Sequence, residues 1–372
     1  MTVQVSVVIA TYRRPHLLDR CLQALVSQTL PPGDYEIIIV DDGPQDPATH
    51  ELIEAWQRRI HQNAPGSLLA QPVRERSRER QARMAGQIAA TKGDALPALR
   101  YFPAYSTQGP AAARNIGWRA AAGKIIAFTD DDCLPQPDWL ANGLAAFNPP
   151  GNSSGENGSG PKPEISAVSG RVIVPLPENP TDNELNATGL ERSDFITANC
   201  FYRREALEML GGFDERFATA WREDSDLYFS LRERGCRYAR AEDAVVIHPV
   251  RTEAWGASLR QQRKSFYNAL LYKKHPALYR RCIQPAPPWH YYGMAAGLFA
   301  AAAGAVLGSG ITAAAGLAAW FVLYAAFLLR RLLHTSHSPA HVIEMIITSL
   351  AIPFLSIYWR LRGAVHWRVF FL

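Results

Sequence analysis

Between Tyr291 and Leu329 the chain runs for 39 residues without a charged side chain. A surface helix in water carries a polar face, so this stretch must lie inside protein or inside lipid. One membrane crossing takes ~20 apolar residues, and Gly308-Ser309-Gly310 breaks the run near its middle. The pattern predicts a transmembrane hairpin of two short helices over residues 289–331. Arg280 and Arg281 precede it, Arg330 and Arg331 follow it, and Trp289, Tyr291 and Tyr292 stand at its entry. Basic and aromatic flanks mark a membrane interface, with the basic side cytoplasmic. The competing reading is a hairpin of soluble helices buried in protein. Residues 341–372 hold a third apolar stretch with Glu344, Pro353, Arg360, Arg362 and Arg368. These charges predict an interfacial or re-entrant helix and a basic C-terminus.

Charge divides the chain in the same place. Residues 251–372 carry thirteen Lys and Arg against two acids, whereas residues 1–250 carry a net −6. A basic apolar tail on an acidic body points to a membrane or polyanion partner. We expect the membrane and no nucleic acid. Cys21, Cys133, Cys200, Cys236 and Cys282 are scattered and odd in number, with no CxxC pair. That argues against a disulfide framework or a zinc site and predicts a reducing compartment. The apolar run Val3 to Ala10 is short and lacks a basic leader, so no signal peptide is expected.

The body reads as strand and helix in alternation. Val5 to Ala10 and Tyr35 to Val40 are β-rich, and Lys124 to Thr129 is a third strand. Helical spacing covers Pro15 to Gln28, Pro47 to Ile60 and Ala111 to Ala122. This rhythm predicts an α/β fold with a mostly parallel sheet flanked by helices. Ligands of such folds bind beyond the C-terminal strand ends. Thr11, Asp41 and Asp130 all fall there. The Arg-rich segment Val73 to Arg83 predicts a solvated insertion or a contact with anionic lipid. Pro149 to Pro163, rich in Gly, Ser and Asn, predicts a flexible loop. It divides residues 1–148, a nucleotide-binding half, from residues 165–288, with the loop at 149–164.

Three carboxylates, Asp130, Asp131 and Asp132, follow an apolar strand. They repel one another, and nothing nearby in sequence neutralises them. A hard divalent cation would, because Mg²⁺ and Mn²⁺ prefer oxygen ligands and commonly share them with phosphates. Acidic turns also serve as plain helix caps. Arg114 lies one turn into a helix starting near Pro110, where it can pair with a phosphate or form a surface ion pair. Glu223, Asp224 and Asp226 open another helix, whose dipole they complement. One of them can also act as a general base toward an acceptor hydroxyl.

Together these elements resemble the inverting family-2 glycosyltransferases of GT-A fold. The resemblance covers about Val5 to Lys274. It rests on VSVVIATYRRPHLLDRCLQAL, IIIVDDG, GPAAARNIGWRAAAGKIIAFTDDD, the GGFDE turn and REDSDL, in that order. It implies transfer of a sugar from a nucleotide-diphosphate donor with inversion, aided by Mg²⁺ or Mn²⁺. It places Thr11, Tyr12 and Arg13 beside the base and ribose, and Asp42 or Asp41 on the base. Arg114 falls near the nucleotide, and Asp130 and Asp132 at the ends of the Asp-x-Asp motif, with Asp132 the direct metal ligand. Asp224, with Glu223 second, corresponds to the catalytic base. His248 corresponds to a histidine near metal or diphosphate, or else is a satisfied core residue. The segment Gln261-Gln262-Arg263-Lys264-Ser265 only loosely echoes the Gln-x-x-Arg-Trp of processive synthases, which favours addition of one or a few sugars. The tail then implies a lipid-linked or glycan acceptor, and a bacterial-type inner membrane with the catalytic part cytoplasmic. Two other classes compete with this one: a membrane-tethered binding protein without catalysis, and a nucleotide-dependent dehydrogenase. The second lacks a GxGxxG after its first strand.

Overall fold

The structure, a computed structural model, describes residues 3–44, 46–62, 96–105, 109–148, 164–251 and 253–372. The Arg-rich segment and the Gly/Ser-rich loop lie outside the described residues. The strands are β1 (Val5–Thr11), β2 (Tyr35–Asp41), β3 (Ala98–Pro103), β4 (Ile125–Asp130), β5 (Leu134–Pro135), β6 (Ile165–Ile173), β7 (Cys200–Arg203) and β8 (Arg237–Ile247). The helices of the body are α1 (Pro15–Leu25), α2 (Pro47–Gln62), α3 (Pro110–Ala120), α4 (Trp139–Ala145), α5 (Asp182–Ala187), α6 (Arg204–Leu210) and α7 (Glu223–Glu233). After it come α8 (Ala257–Gln261), α9 (Ser265–Lys274), α10 (Pro276–Cys282), α11 (Trp289–Val306), α12 (Gly310–Leu332) and α13 (Pro339–Trp367).

The strands form one sheet in the order β3-β2-β1-β4-β7-β6-β8-β5. The first four are parallel, as the alternation of strands and helices predicts. β7 runs antiparallel to both β4 and β6. The sheet therefore crosses from one half of the chain to the other without a break. Helices cover both faces, which is why β1 and β2 are apolar along almost their whole length. Val5, Val7 and Ile9 pack with Leu18 and Leu22 of α1 on one face. Val8 and Ile38 pack with Ala113 and Trp118 of α3 on the other.

Gly117 lets α3 sit close to the sheet. A Cβ there would lie 2.4 Å from Val8 Cγ1. Alanine gains about 1 kcal/mol over glycine in a helix interior, but overpacking a full core costs about 1–3 kcal/mol. At this distance the clash wins. We expect Gly117→Ala to lower the denaturant midpoint, with a net loss of up to about 2 kcal/mol; equal or higher stability would show that the helix moves aside freely.

Two packed helices, α11 and α12, joined at Leu307 to Ser309, occupy the stretch read as a transmembrane hairpin. Small residues set its close approach: a Cβ on Gly304 would meet Ala313 N at 2.5 Å, and one on Gly316 would meet Ala301 N at 2.5 Å. Its outer side is apolar and open, with Phe299, Leu307 and Ile311 at 76%, 81% and 87% exposure. The stretch expected as an interfacial or re-entrant segment is one continuous helix of 29 residues, α13, despite Pro353 inside it. Among the described residues, two helices are long and apolar enough to cross a membrane, α12 and α13. Two of the arginines expected to face lipid heads or water are instead buried. Arg331 pairs with Asp182 at 2.8 Å and donates to Thr348 and Ser349 of α13. Arg360 donates to Gln284 and to the Leu372 carbonyl. Each finds acceptors inside the protein, as a buried guanidinium must.

Candidate active site

Register brings the predicted strand ends together. Thr11 lies beside Asp41, and Ala10 beside Asp130. From there each of the three aspartates meets a cation. Arg114 Nη2 donates to Asp130 Oδ1 at 2.8 Å. Arg14 Nη1 lies 3.1 Å from Asp131 Oδ1, and Thr11 donates to Asp131 Oδ2 at 2.8 Å. Arg251 Nε donates to Asp132 Oδ2 at 2.5 Å. Nothing near the run in sequence neutralises it; the partners come from elsewhere in the chain. Arg251 is 119 positions from Asp132, too far for sequence proximity to reveal it.

A divalent ion still has a place here. Ligand atoms of Asp130, Asp132, Cys133 and His248 all lie within 4.8 Å of one another. His248 Nε2 is 3.6 Å from Asp132 Oδ1. Among the described residues, Asp132 Oδ1 and His248 Nδ1 find no hydrogen-bond partner. Buried polar atoms are normally satisfied, so two orphans in one acidic cluster fit a cation. The carboxylate oxygens suit a hard cation such as Mg²⁺ or Mn²⁺. Cys133 joins the cluster unforeseen. Burial, then the neighbouring carboxylates Asp130 and Asp132, push its thiol well above the usual range. All five cysteines are free.

Arg114 does not point into solvent as a surface ion-pair residue would. It is 4% exposed and clamps two acids from different elements, Asp130 and Glu223, the latter through Nη1 at 2.9 Å. Burial would raise the Asp130 carboxyl, but Arg114 outweighs it and holds Asp130 below the usual carboxylate range. Glu223 is buried, and its Oε2 has no partner among the described residues. Burial pushes its carboxyl up to about 7. Asp224, also raised by burial, accepts the Ser225 N–H at 2.6 Å. Both acids line a cavity of about 700 Å³ together with Arg114, Asp130, His248 and Arg251. That volume suits a small-molecule ligand.

The first-strand residues divide. Thr11 is buried on Asp131, whereas Tyr12 is 46% exposed and carries the Arg13 guanidinium 5.2 Å from its ring centre. Asp41 is inward and committed to the Gly43 N–H and the Tyr101 hydroxyl. Asp42 takes the Gly109 N–H on both oxygens, fixing the entry to α3. The remaining acidic motifs are structural. Phe213 of the GGFDE turn exchanges hydrogen bonds with Asn115, and Asp214 and Asp226 share Lys274.

The sheet is curled and of mixed direction, with the Asp130–Asp132 run and the Glu223–Asp224 pair lining one region beyond its strand ends. Residues 3–268 match the family described as "Glycosyltransferase like family 2", and residues 188–357 match "Glycosyl transferase family group 2". The chain belongs to glycosyltransferase family 2. The archaeal glycosyltransferase AglE of Haloferax volcanii is 25% identical over 260 residues, 69% of this chain and 70% of AglE. Validoxylamine A glucosyltransferase of Streptomyces hygroscopicus subsp. limoneus is 26% identical over 306 residues. That match covers 73% of this chain and 57% of the Streptomyces enzyme, so the chain spans little more than half of that relative. Among solved structures, the mannosyltransferase PcManGT of Pyrobaculum calidifontis, in complex with GDP-Man and Mn²⁺, superposes with a TM-score of 0.55 at 21% identity. The superposition covers 97% of this chain and 88% of that one, and it shows the same fold.

Proposed function

We propose that this enzyme moves a sugar, with inversion, from a nucleoside-diphosphate sugar to a lipid-linked or glycan acceptor at a membrane. The observation that carries the reading is the Asp130–Arg114–Glu223 bridge, which ties the strand-end aspartates to the acid pair across one cavity. Donor and acceptor would meet over it. Residues 1–148 would hold the donor, with Tyr12, Arg13 and Asp42 beside the nucleotide. Residues 165–288 would hold the acceptor and the base.

Asp130, Asp132 and His248 would hold Mn²⁺ or Mg²⁺, which supplies positive charge against the donor diphosphate. Asp224 takes the proton of the acceptor hydroxyl. The oxygen attacks the anomeric carbon from the face opposite the diphosphate, the bond to the diphosphate breaks, and the configuration inverts. Glu223 and Arg114 fix Asp224 and Asp130 relative to each other. A screen of UDP-, GDP- and dTDP-sugars for donor hydrolysis with Mn²⁺ tests the reading. Hydrolysis of one donor is expected. None with any donor would favour a binding protein without catalysis.

The tail would anchor the enzyme with the catalytic body on the cytoplasmic side. A single cysteine at Ser309, in an otherwise cysteine-free chain, should be labelled from the side opposite the catalytic body. Labelling from the catalytic side alone would overturn the crossing hairpin.

A further inference from the structure

Each aspartate of the strand-end run has a guanidinium beside it, yet the three guanidiniums are not held alike. Arg114 is clamped between Asp130 and Glu223, and its side chain is 5% exposed. Arg14 bridges two acids, with Nη1 3.1 Å from Asp131 Oδ1 and 4.0 Å from Asp132 Oδ2. The Arg251 side chain is 45% exposed and, among the described residues, pairs with Asp132 alone. A second acid fixes each of the first two, whereas a single half-exposed pair is weakly held. A divalent ion on Asp132 and His248 would add two positive charges beside Arg251. Like charges that close repel, and more strongly in a part-buried site than in water.

A second cavity gives Arg251 a place to go. It holds about 110 Å³ and adjoins the catalytic cavity, since Asn183, Arg251 and Glu253 line both. One wall is the start of α13, where His341 and Glu344 stand one turn apart. That volume takes several waters, and hence a guanidinium. Asp182 in the same lining is committed to Arg331. Glu253 reaches only Arg260, at 4.0 Å, and Glu344 Oε1 accepts the Gly256 N–H at 2.7 Å. His341 is 6% exposed, and its Nε2 has no partner among the described residues. Buried polar atoms are normally satisfied, so this chamber has two carboxylates and a ring nitrogen to offer an arriving cation.

We infer that Arg251 is a place-holding counter-ion: it covers Asp132 until a divalent ion binds there, and then moves into the acidic chamber at α13. This rests on the metal site proposed for Asp130, Asp132 and His248, and adds to it a competitor built into the chain. Metal affinity is then set by the difference between two ion pairs of one arginine, one at Asp132 and one at Glu253 and Glu344. A charge on α13 that touches no ligand of the ion would thereby tune the ion's binding.

The test reads free Mn²⁺ by electron paramagnetic resonance, with full-length enzyme in detergent and no nucleotide. Arg251→Gln should bind Mn²⁺ about tenfold more tightly than the unmodified enzyme, the worth of one charge-assisted pair. Arg251→Lys keeps the charge and should return most of that difference. Glu344→Gln keeps an acceptor for the Gly256 N–H but removes charge from the chamber, and should weaken Mn²⁺ binding about twofold to fivefold. Added to Arg251→Gln, the same Glu344→Gln change should have no effect, because the cation it would receive is gone. Unchanged Mn²⁺ binding in Arg251→Gln would overturn the exchange, and weaker binding would overturn it by showing that Arg251 orients Asp132 for the ion. Equal tightening in Arg251→Lys and Arg251→Gln would show that charge is not what competes. A Glu344→Gln effect of the same size in both backgrounds would remove the chamber from the account. Loss of Mn²⁺ binding in Asp132→Asn with no change in Arg251→Gln would sink this inference alone; no Mn²⁺ on any of the proteins would sink the metal reading as well.

Discussion

Asp224→Asn should lower sugar transfer about 10²–10⁴-fold, the usual worth of a positioned general base. The substitution keeps the shape and the Ser225 contact but cannot take a proton. Nucleoside diphosphate affinity should change little, because Asp224 touches none of the strand-end aspartates. Glu223→Gln separates the two acids. Glu223 is buried against Arg114, so its loss should disturb Asp130 as well, weakening donor binding along with turnover. If Asp224→Asn transfers normally and Glu223→Gln does not, the base is Glu223. The pH profile follows from the same pair. Both acids are raised by burial, and Glu223 reaches about 7. A base works only when ionised, so kcat/KM of the unmodified enzyme should rise with pH through a region above the usual carboxylate range.

Asp132→Asn is the second large effect. Loss of an outer-shell residue costs about 10–100-fold in metal affinity, and loss of a ligand takes that as its floor. Calorimetry should therefore show Mn²⁺-dependent nucleoside diphosphate binding weakened by about 100-fold or more, with the fold retained. Arg251→Gln is the control. It breaks the ion pair at Asp132 but keeps the carboxylate, so metal-dependent binding should survive. Asp131→Asn should act differently, since Asp131 is committed to Thr11 and Arg14. Its loss should lower stability more than metal affinity. Unchanged metal-dependent binding in Asp132→Asn would remove Asp132 from the ion's ligands.

The strands and helices of the first half were legible because a parallel sheet covered on both faces demands apolar runs at strand spacing, and β1, β2 and β4 have them. The strand-end aspartates were legible for the same reason: polar residues closing apolar strands stand out. Their partners were not. Arg14 is the second of two adjacent arginines in a loop, and Arg251 stands in a segment without periodic pattern. Only the sheet order brings β1, β4 and the segment after β8 together. Arg114 was visible as a residue of interest, yet its double clamp depends on α3 and α7 meeting across the site. Arg331 was read as a membrane flank because its run of neighbours is apolar. Its partner Asp182 is 149 positions away. Long-range ion pairs of this kind leave no local signature.

The central claim is that this cavity transfers sugar from a nucleotide donor with inversion, using Asp224 as base. The direct measurement is proton NMR of the anomeric signal during turnover, with full-length enzyme, Mn²⁺, an α-linked nucleotide sugar and a membrane-derived acceptor. The account predicts that the α-anomeric signal of the donor falls as a β-anomeric product signal and free nucleoside diphosphate appear, and that Asp224→Asn abolishes the product signal. An α-linked product, or a β-linked product formed at full rate by Asp224→Asn, would contradict it.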